Sequence, residues 1–299
     1  MINQSLAKSS VSLYKRAWNL FQLCIQETKE ISIEFDHFPL SSQEIMYFIS
    51  YLDLTGYAAT SITSYTSALG FLHKAMGLKD PTQNFIVQKM LSGINKVNGR
   101  LDSRLPITIM ILHRLVESLP KTIDVLYHRI LLRAMFLMAF FGLFRIGELT
   151  IQTDGSISLF LECINLVNNQ IVLMISNFKH NADRRPVKIL INSQTISSLC
   201  PVRALSEYLK IRGLKKGPLF CFSDGKPIPR TFFTSRLKFC LNFCGLDTKL
   251  YQSHSFRIGC ASFLSSKGFS DDQIQKLGRW KNNSFVAYVR SQQYKLKLK

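Results

Sequence analysis

Four side chains near the C-terminus have the types and spacing to act together on a phosphate. In SHSFRIGCASFLSSKGFSDDQIQKLGRWKNNSFVAYVR, His254 and Arg257 stand three residues apart. At that spacing they share one helix face. A proton-handling imidazole then sits beside a rigid fork of donors suited to phosphate. Trp280 follows Arg257 by twenty-three residues, and Tyr288 follows Trp280 by eight. Between them SDDQIQKLG reads as a helix, with Ser270 and Gln273 as a capping box and Gly278 as its stop. A phenol follows on the next short helix, so imidazole, guanidinium, indole and phenol can converge on one phosphate.

Each piece is weak alone. An isolated H-x-x-R is more often a solvated helix pair than a site, and a Tyr near a C-terminus is more often packing than nucleophile. The ordered set is far more specific, and it resembles the active-site signature of the tyrosine recombinases, the phage-type integrases. The wording LGRWKNNSFVAYVR, with Trp280 where many members carry His, is most like the recombinases of crypton and DIRS-like mobile elements.

The resemblance extends upstream. The family carries its first catalytic arginine in a G-x-R-x-x-E-L context. Here Gly142-Leu143-Phe144-Arg145-Ile146-Gly147-Glu148-Leu149 matches it, with one residue inserted between Gly142 and Arg145. Arg145 falls at a helix-to-turn corner with Glu148 positioned to steer it; a plain surface ion pair is the alternative reading. Further on, ISLFLECINL, QIVLMISNF and PVKILI are β-branched and apolar with polar breaks, which predicts a small antiparallel sheet. KHNADRR joins its last two strands. In the family a lysine on this hairpin reaches the DNA and serves as general acid, which implies Lys179, with Lys188 as the alternative because the loop length blurs the register. The implied catalytic set is Arg145, Lys179, His254, Arg257, Trp280 and Tyr288, supported by Glu148.

The elements that must position this set follow the hydrophobic periodicity. Tyr14, Trp18, Phe21 and Ile25 mark a first helix. Ile45, Phe48, Ile49 and Leu52 mark a second, and Ile62, Tyr65, Leu69, Leu72 and Met76 a third ending near Gly77. Pro81 opens a fourth, with Val87, Met90, Leu91 and Ile94 on one face. These stripes predict a four- or five-helix bundle. YAATSITSYTSALGFLHKAMGLKDPTQNFIVQKMLSGINK is similar to the helical core-binding domain of the same family, which grips one face of DNA while the catalytic domain closes the other. Lys74, Lys79, Lys89, Lys96 and Arg100 are candidates for that grip, or plain surface charges. VNGRLDSRLP reads as a polar, basic strap. The expected organisation is a helical DNA-binding domain over 1–98, a linker over 99–106 and a catalytic domain over 107–299, mainly α with one small antiparallel sheet. In the second domain 107–144 predicts two or three helices ended by Gly142. Pro201–Gly213 predicts another, and Thr231–Cys244 one more that is basic on one side through Arg230, Arg236 and Lys238.

Composition agrees with a nucleic-acid partner. The 299 residues are enough for two ordinary domains, and 46% hydrophobic content excludes wholesale disorder. Lys and Arg total 38 against 19 Asp and Glu, a net charge of +19. Such an excess favours a polyanion, and nucleic acid before a membrane. The seven cysteines are scattered, with no zinc spacing, and read as reduced, mostly buried thiols of an intracellular protein. MINQSLAKSSVSLYK has no signal-peptide core. The longest apolar run, Ala134–Phe144, is too short to span a bilayer and predicts a buried helix.

The chemistry accounts for the residue types. Two guanidiniums, Arg145 and Arg257, hold the non-bridging oxygens and counter the charge that gathers there. Tyr288 attacks phosphorus to form a covalent 3′-phosphotyrosine, conserving bond energy. Lys179 protonates the departing 5′-oxygen, His254 assists as acid or base, and Trp280 contributes an indole N–H and packing. Nothing in this scheme calls for a metal or other cofactor, and no H-E-x-x-H, two-metal carboxylate cluster or P-loop is present. The reading is a recombinase on double-stranded DNA, which by family resemblance works as a homotetramer on paired sites. The expected compartment is the nucleus in a eukaryote and the cytoplasm or nucleoid in a bacterium. Two rivals stand beside it: type IB topoisomerase-like relaxation, and a domesticated protein that only binds DNA.

Overall fold

A computed structural model describes residues 8–29, 38–99, 102–176, 181, 185–282, 285, 286, 288 and 289. The chain divides into two compact units, Met1–Asp102 and Ser103–Lys299.

The first unit is all helical among the described residues. It holds α1 (Lys8–Lys29), α2 (Ser42–Leu54), α3 (Ala59–Ala75) and α4 (Phe85–Asn98). Ser41 caps α2 and Glu44 reaches back to the Ser41 N–H, a complete capping box. The core joins Phe21 and Ile25 of α1 to Ile45, Phe48, Ile49 and Leu52 of α2, Ile62, Tyr65 and Leu69 of α3, and Val87 and Leu91 of α4. Two details differ from the periodicity. Met76 lies just past the end of α3 and is 59% exposed, while His73 fills the buried position. Its Nδ1 faces Leu69 O at 2.8 Å and its Nε2 accepts the Leu40 N–H at 2.9 Å. It is thus a core histidine with both nitrogens satisfied. Pro81 does not open the fourth helix. It starts a separate 3₁₀ turn, Pro81–Gln83, and α4 begins at Phe85 under an Asn84 cap, because the Asn side chain takes the Ile86 N–H.

The second unit opens with α5 (Ile109–Thr122) and α6 (Leu126–Phe141). The apolar run falls on α6 as far as Phe141, with Ala134 to Phe140 all buried, and the run's last three residues, Gly142 to Phe144, lie past the helix end. None of the described helices is long and apolar enough to cross a membrane. After the one-turn helix α7 (Ile146–Leu149) come strands β1 (Ile164–Val167), β2 (Gln170–Ile175) and β3 (Val187–Asn192), antiparallel in that order. β1 is shorter than ISLFLECINL suggested, since Leu161–Cys163 forms a 3₁₀ turn. Asn168 and Asn169 both have positive φ, which is what a two-residue type I′ hairpin demands. Ile171, Leu173, Ile175, Ile189 and Ile191 face the core. Lys188, opposite Met174, is on the exposed face. Helices α8 (Pro201–Arg212), α9 (Arg230–Phe243), α10 (Ser255–Ser266) and α11 (Asp271–Gly278) complete the described α-helices, with α8 and α10 packed on α6.

The division between the units falls between Asp102 and Ser103, within the polar strap. The end of that strap is fastened: the Leu105 N–H bonds Leu250 O at 2.8 Å and the Ile107 N–H bonds Ser255 O at 3.0 Å. Glycine at 259 permits this, because a Cβ there would lie 1.9 Å from Ile107 O.

Candidate active site

The buried helix α6 ends at Gly142, and Leu143 turns the chain with a left-handed φ of 50°. That turn delivers Arg145 to the start of α7. Glu148 then folds back on it, accepting the Arg145 N–H at 3.0 Å and Arg145 Nη1 at 3.2 Å. The Glu148 side chain is only 4% exposed and Arg145's 21%. A buried carboxylate demands a counter-ion, and Arg279 supplies a second one at 2.9 Å, itself 4% exposed.

His254 and Arg257 reach the site from the start of α10. The expectation of one shared helix face needs adjusting: His254 is the cap residue, just before the helix begins, and Arg257 lies in its first turn. Arg257 is fully buried. It donates Nη1 to Leu143 O and Nη2 to Gly278 O, the latter at 2.8 Å. Its Nε–H has no hydrogen-bond partner among the described residues. Burial, then the nearby Arg145 charge, pushes the Arg257 guanidinium down to about 9, which still leaves it cationic at neutral pH.

α11 carries the predicted Ser270–Gln273 capping box, because Ser270 Oγ takes the Gln273 N–H while the Gln273 side chain accepts from the Ser270 N–H. Gly278 is its last residue, and the left-handed cap is Arg279, at φ 56°, rather than the glycine. Glycine is needed at 278 for another reason: a Cβ would lie 1.5 Å from the Trp280 ring. The indole folds back over Gly278 and stacks on two partners. The Arg257 Cζ is 4.2 Å from its ring centre. The Tyr288 ring lies 5.7 Å away at a 27° tilt. His254 meets Tyr288 edge-on at 4.8 Å. Tyr288 itself sits in a turn closed by its N–H to Phe285 O at 2.7 Å, and Ser262 Oγ donates to its carbonyl at 3.1 Å. Gly278→Ala is therefore expected to push the indole off both partners and to cost about 1–3 kcal/mol by overpacking. Urea denaturation measures this, and a variant as stable as the parent would contradict the packing.

A cavity of about 650 Å³ gathers Arg145, Glu148, His254, Arg257, Trp280 and Tyr288 in its wall. Arg104, Arg230 and Lys281 line it too. These three cations had no assigned place in the site, since nothing in a surface arginine's neighbours along the chain tells which cavity it borders. With Glu148 already engaged by two arginines, the cavity is strongly cationic and suits a phosphate. Beside it a second depression, lined by Lys238, Lys249 and Thr248, shares Arg230, Gln252 and Ser253 with the first.

None of the other described sequence candidates lines this cavity. Lys179 and Arg100 fall outside the described residues. Lys188 does not border the cavity. Lys74 pairs with Asp80 at 2.9 Å, Lys89 lies over the Phe85 ring and Arg236 over Phe232. Lys96 and Lys238 are exposed. No group of three or more metal-ligating side chains occurs among the described residues.

The family model described as the phage integrase family matches residues 111–294, more than half the chain. The chain belongs to that family. Curated protein sequences gave no match. Among solved structures, similarity extends to XerH site-specific recombinase bound to palindromic difH substrate in a post-cleavage complex. That match has 19% identity and a TM-score of 0.65, and covers 96% of this chain and 82% of that one. The Tn1549 transposon integrase in complex with transposon right end DNA is similar at 15% identity and a TM-score of 0.67, covering 96% and 90%. A lambda integrase dimer bound to a COC′ core site matches at 16% identity and a TM-score of 0.64, covering 98% and 93%. At these identities the shared property is the fold, a mostly helical chain with a small antiparallel sheet.

Proposed function

We propose that this protein is a site-specific DNA recombinase or integrase that cuts and rejoins strands through a covalent 3′-phosphotyrosine on Tyr288. The observation that carries the reading is the single cationic cavity in which Arg145, His254, Arg257, Trp280 and Tyr288 meet, in a chain of the phage integrase family. Arg145 and Arg257 face the two non-bridging oxygens and offset the charge that builds on them in the transition state. The phenol oxygen of Tyr288 forms the new bond to phosphorus as the bond to the 5′-oxygen breaks. Lys179, on the β2–β3 connection, gives that oxygen its proton, and His254 handles protons beside the phenol. Trp280 packs on both the Arg257 guanidinium and the Tyr288 ring. Resealing runs the same steps backward, so the scheme needs neither ATP nor a metal. The direct test is a nicked suicide duplex, on which a covalent protein–DNA band should form; its absence under every condition of salt and site would leave the binding-only reading.

The protein is proposed to come from a mobile element, of the crypton or DIRS-like kind that LGRWKNNSFVAYVR resembles, and to act in the nucleus of a eukaryotic host or the cytoplasm or nucleoid of a bacterial one. Phosphate contacts should dominate its affinity, given the net charge of +19. Log K should fall linearly with log salt, by about 0.9 per phosphate neutralised. Fluorescence anisotropy over a tenfold salt range measures the slope, and a flat response would contradict a duplex clamp. Recombination joins two duplexes, so a tetramer on paired sites is expected. Light scattering should find a monomer without DNA; a stable DNA-free tetramer would contradict this assembly route.

A further inference from the structure

Arg279 does not border the cavity, yet it touches what holds both phosphate-facing arginines. Its Nη2 donates to Glu148 Oε2 at 2.9 Å, and the other oxygen of that carboxylate takes Arg145 Nη1. The same Nη2 donates to Leu143 O at 3.3 Å, the carbonyl that also accepts Arg257 Nη1. Nη1 reaches Gly142 O at 3.3 Å, and the Phe144 ring centre lies 5.0 Å from the guanidinium. With a further bond from Nη1 to Leu277 O at 3.4 Å, one planar fork spans a carboxylate and three carbonyls, which an ammonium cannot do with one geometry. Arg279 and Leu143 are two of the four non-glycine residues with positive φ among those described. Such conformations persist where the surroundings over-determine them. Here each helps to bring a buried guanidinium and the Leu143 carbonyl together.

We propose that Arg279 is a positioning residue that sets Arg145 and Arg257 at the spacing of the two non-bridging oxygens of the scissile phosphate. This rests on reading the cavity as a phosphodiester site. Arg279 touches no substrate. It acts by locking Glu148 behind Arg145 and the Leu143 carbonyl behind Arg257.

The test uses the full chain and two suicide duplexes, one with an ordinary phosphate at the cut and one with a methylphosphonate, in which a methyl group replaces one charged oxygen. Single-turnover adduct formation is read for the parent, Arg279→Met and Arg279→Lys. Both variants should bind duplex with the parent's salt slope. On ordinary DNA, Arg279→Met should be slower by about 10²-fold or more and Arg279→Lys by about tenfold, the scale of one lost charge-stabilising contact. On methylphosphonate, where less charge has to be countered, both should come within about threefold of the parent. Equal slowing on the two substrates overturns the proposal, because it would mean general support of the Tyr288 arm. A silent Arg279→Lys also overturns it, since a buried positive charge beside Glu148 would then suffice. Should Arg279→Met fail to fold, Arg279→Lys carries the comparison alone. Should the parent form no adduct, DNA cleavage is the reading that falls, and inorganic phosphate decides the rest. Trp18 and Trp280 are the chain's two tryptophans, so a Trp18→Phe background isolates Trp280 emission. A phosphate midpoint raised about tenfold by Arg279→Lys supports the positioning role. An unchanged midpoint, or a parent that does not respond, overturns it.

Discussion

Tyr288→Phe should bind duplex DNA like the parent and form no covalent adduct. The substitution removes one oxygen and keeps the ring that packs on Trp280 and His254, so the fold loses little. On the proposed mechanism the chemistry loses its nucleophile. Removing a covalent nucleophile costs about 10⁴–10⁶-fold in turnover where other parts of a site remain. On a denaturing gel the protein–DNA band should disappear. The controls are two other tyrosines. Tyr251 stands beside the cavity, where burial pushes its phenol above the usual range and makes the phenolate harder to form. Tyr251→Phe should leave the adduct in place, and so should Tyr294→Phe, since Tyr294 lies six residues past Tyr288 in the basic tail. If Tyr294→Phe abolishes the band while Tyr288→Phe keeps it, the nucleophile has been assigned to the wrong residue.

Lys179→Ala should cleave ordinary DNA about 10²–10⁴-fold more slowly, the usual size of a general-acid contribution. Its proposed task is to protonate the leaving 5′-oxygen. An alkoxide leaves poorly, since its conjugate acid resembles water, with a pKa of roughly 15.7. A thiol is far more acidic, at about 8.5. A substrate with sulfur at the bridging 5′ position therefore needs little protonation, and Lys179→Ala should recover on it. Arg145→Ala and Arg257→Ala should not recover to the same degree, because sulfur at the bridging position leaves the charge on the non-bridging oxygens. Rescue of Lys188→Ala in place of Lys179→Ala would move the acid onto β3. Lys188 is exposed on the sheet, opposite Met174.

Local sequence determined much of this protein. Apolar spacing marked the helices of both units, since burying one face of a helix forces a repeat near 3.6. Ile45, Phe48, Ile49 and Leu52 line one core exactly because they recur at that interval, and Ser270 with Gln273 announced α11 because a capping box is a contact between residues three apart. The sequence also singled out Arg145, His254, Arg257, Trp280 and Tyr288 as residue types suited to phosphate chemistry, and the fold brings these five to one cavity. What the chain could not tell by itself is which groups meet across 110 to 140 intervening residues. The Leu143 carbonyl takes guanidiniums from Arg257 and Arg279, and Glu148 takes Arg279 as well as its neighbour Arg145. The sequence marked Gly278 as the helix stop and assigned Arg279 no role. The helix does end at Gly278, but the left-handed cap falls on Arg279: the indole of Trp280 occupies the space over Gly278, and the turn at Arg279 brings its guanidinium to Glu148 behind Arg145. Buried charge explains why this had to be decided in three dimensions. A carboxylate such as Glu148 can leave water only where cations from distant segments arrive together, and their arrival depends on the packing of α6, α7, α10 and α11 rather than on any local spacing.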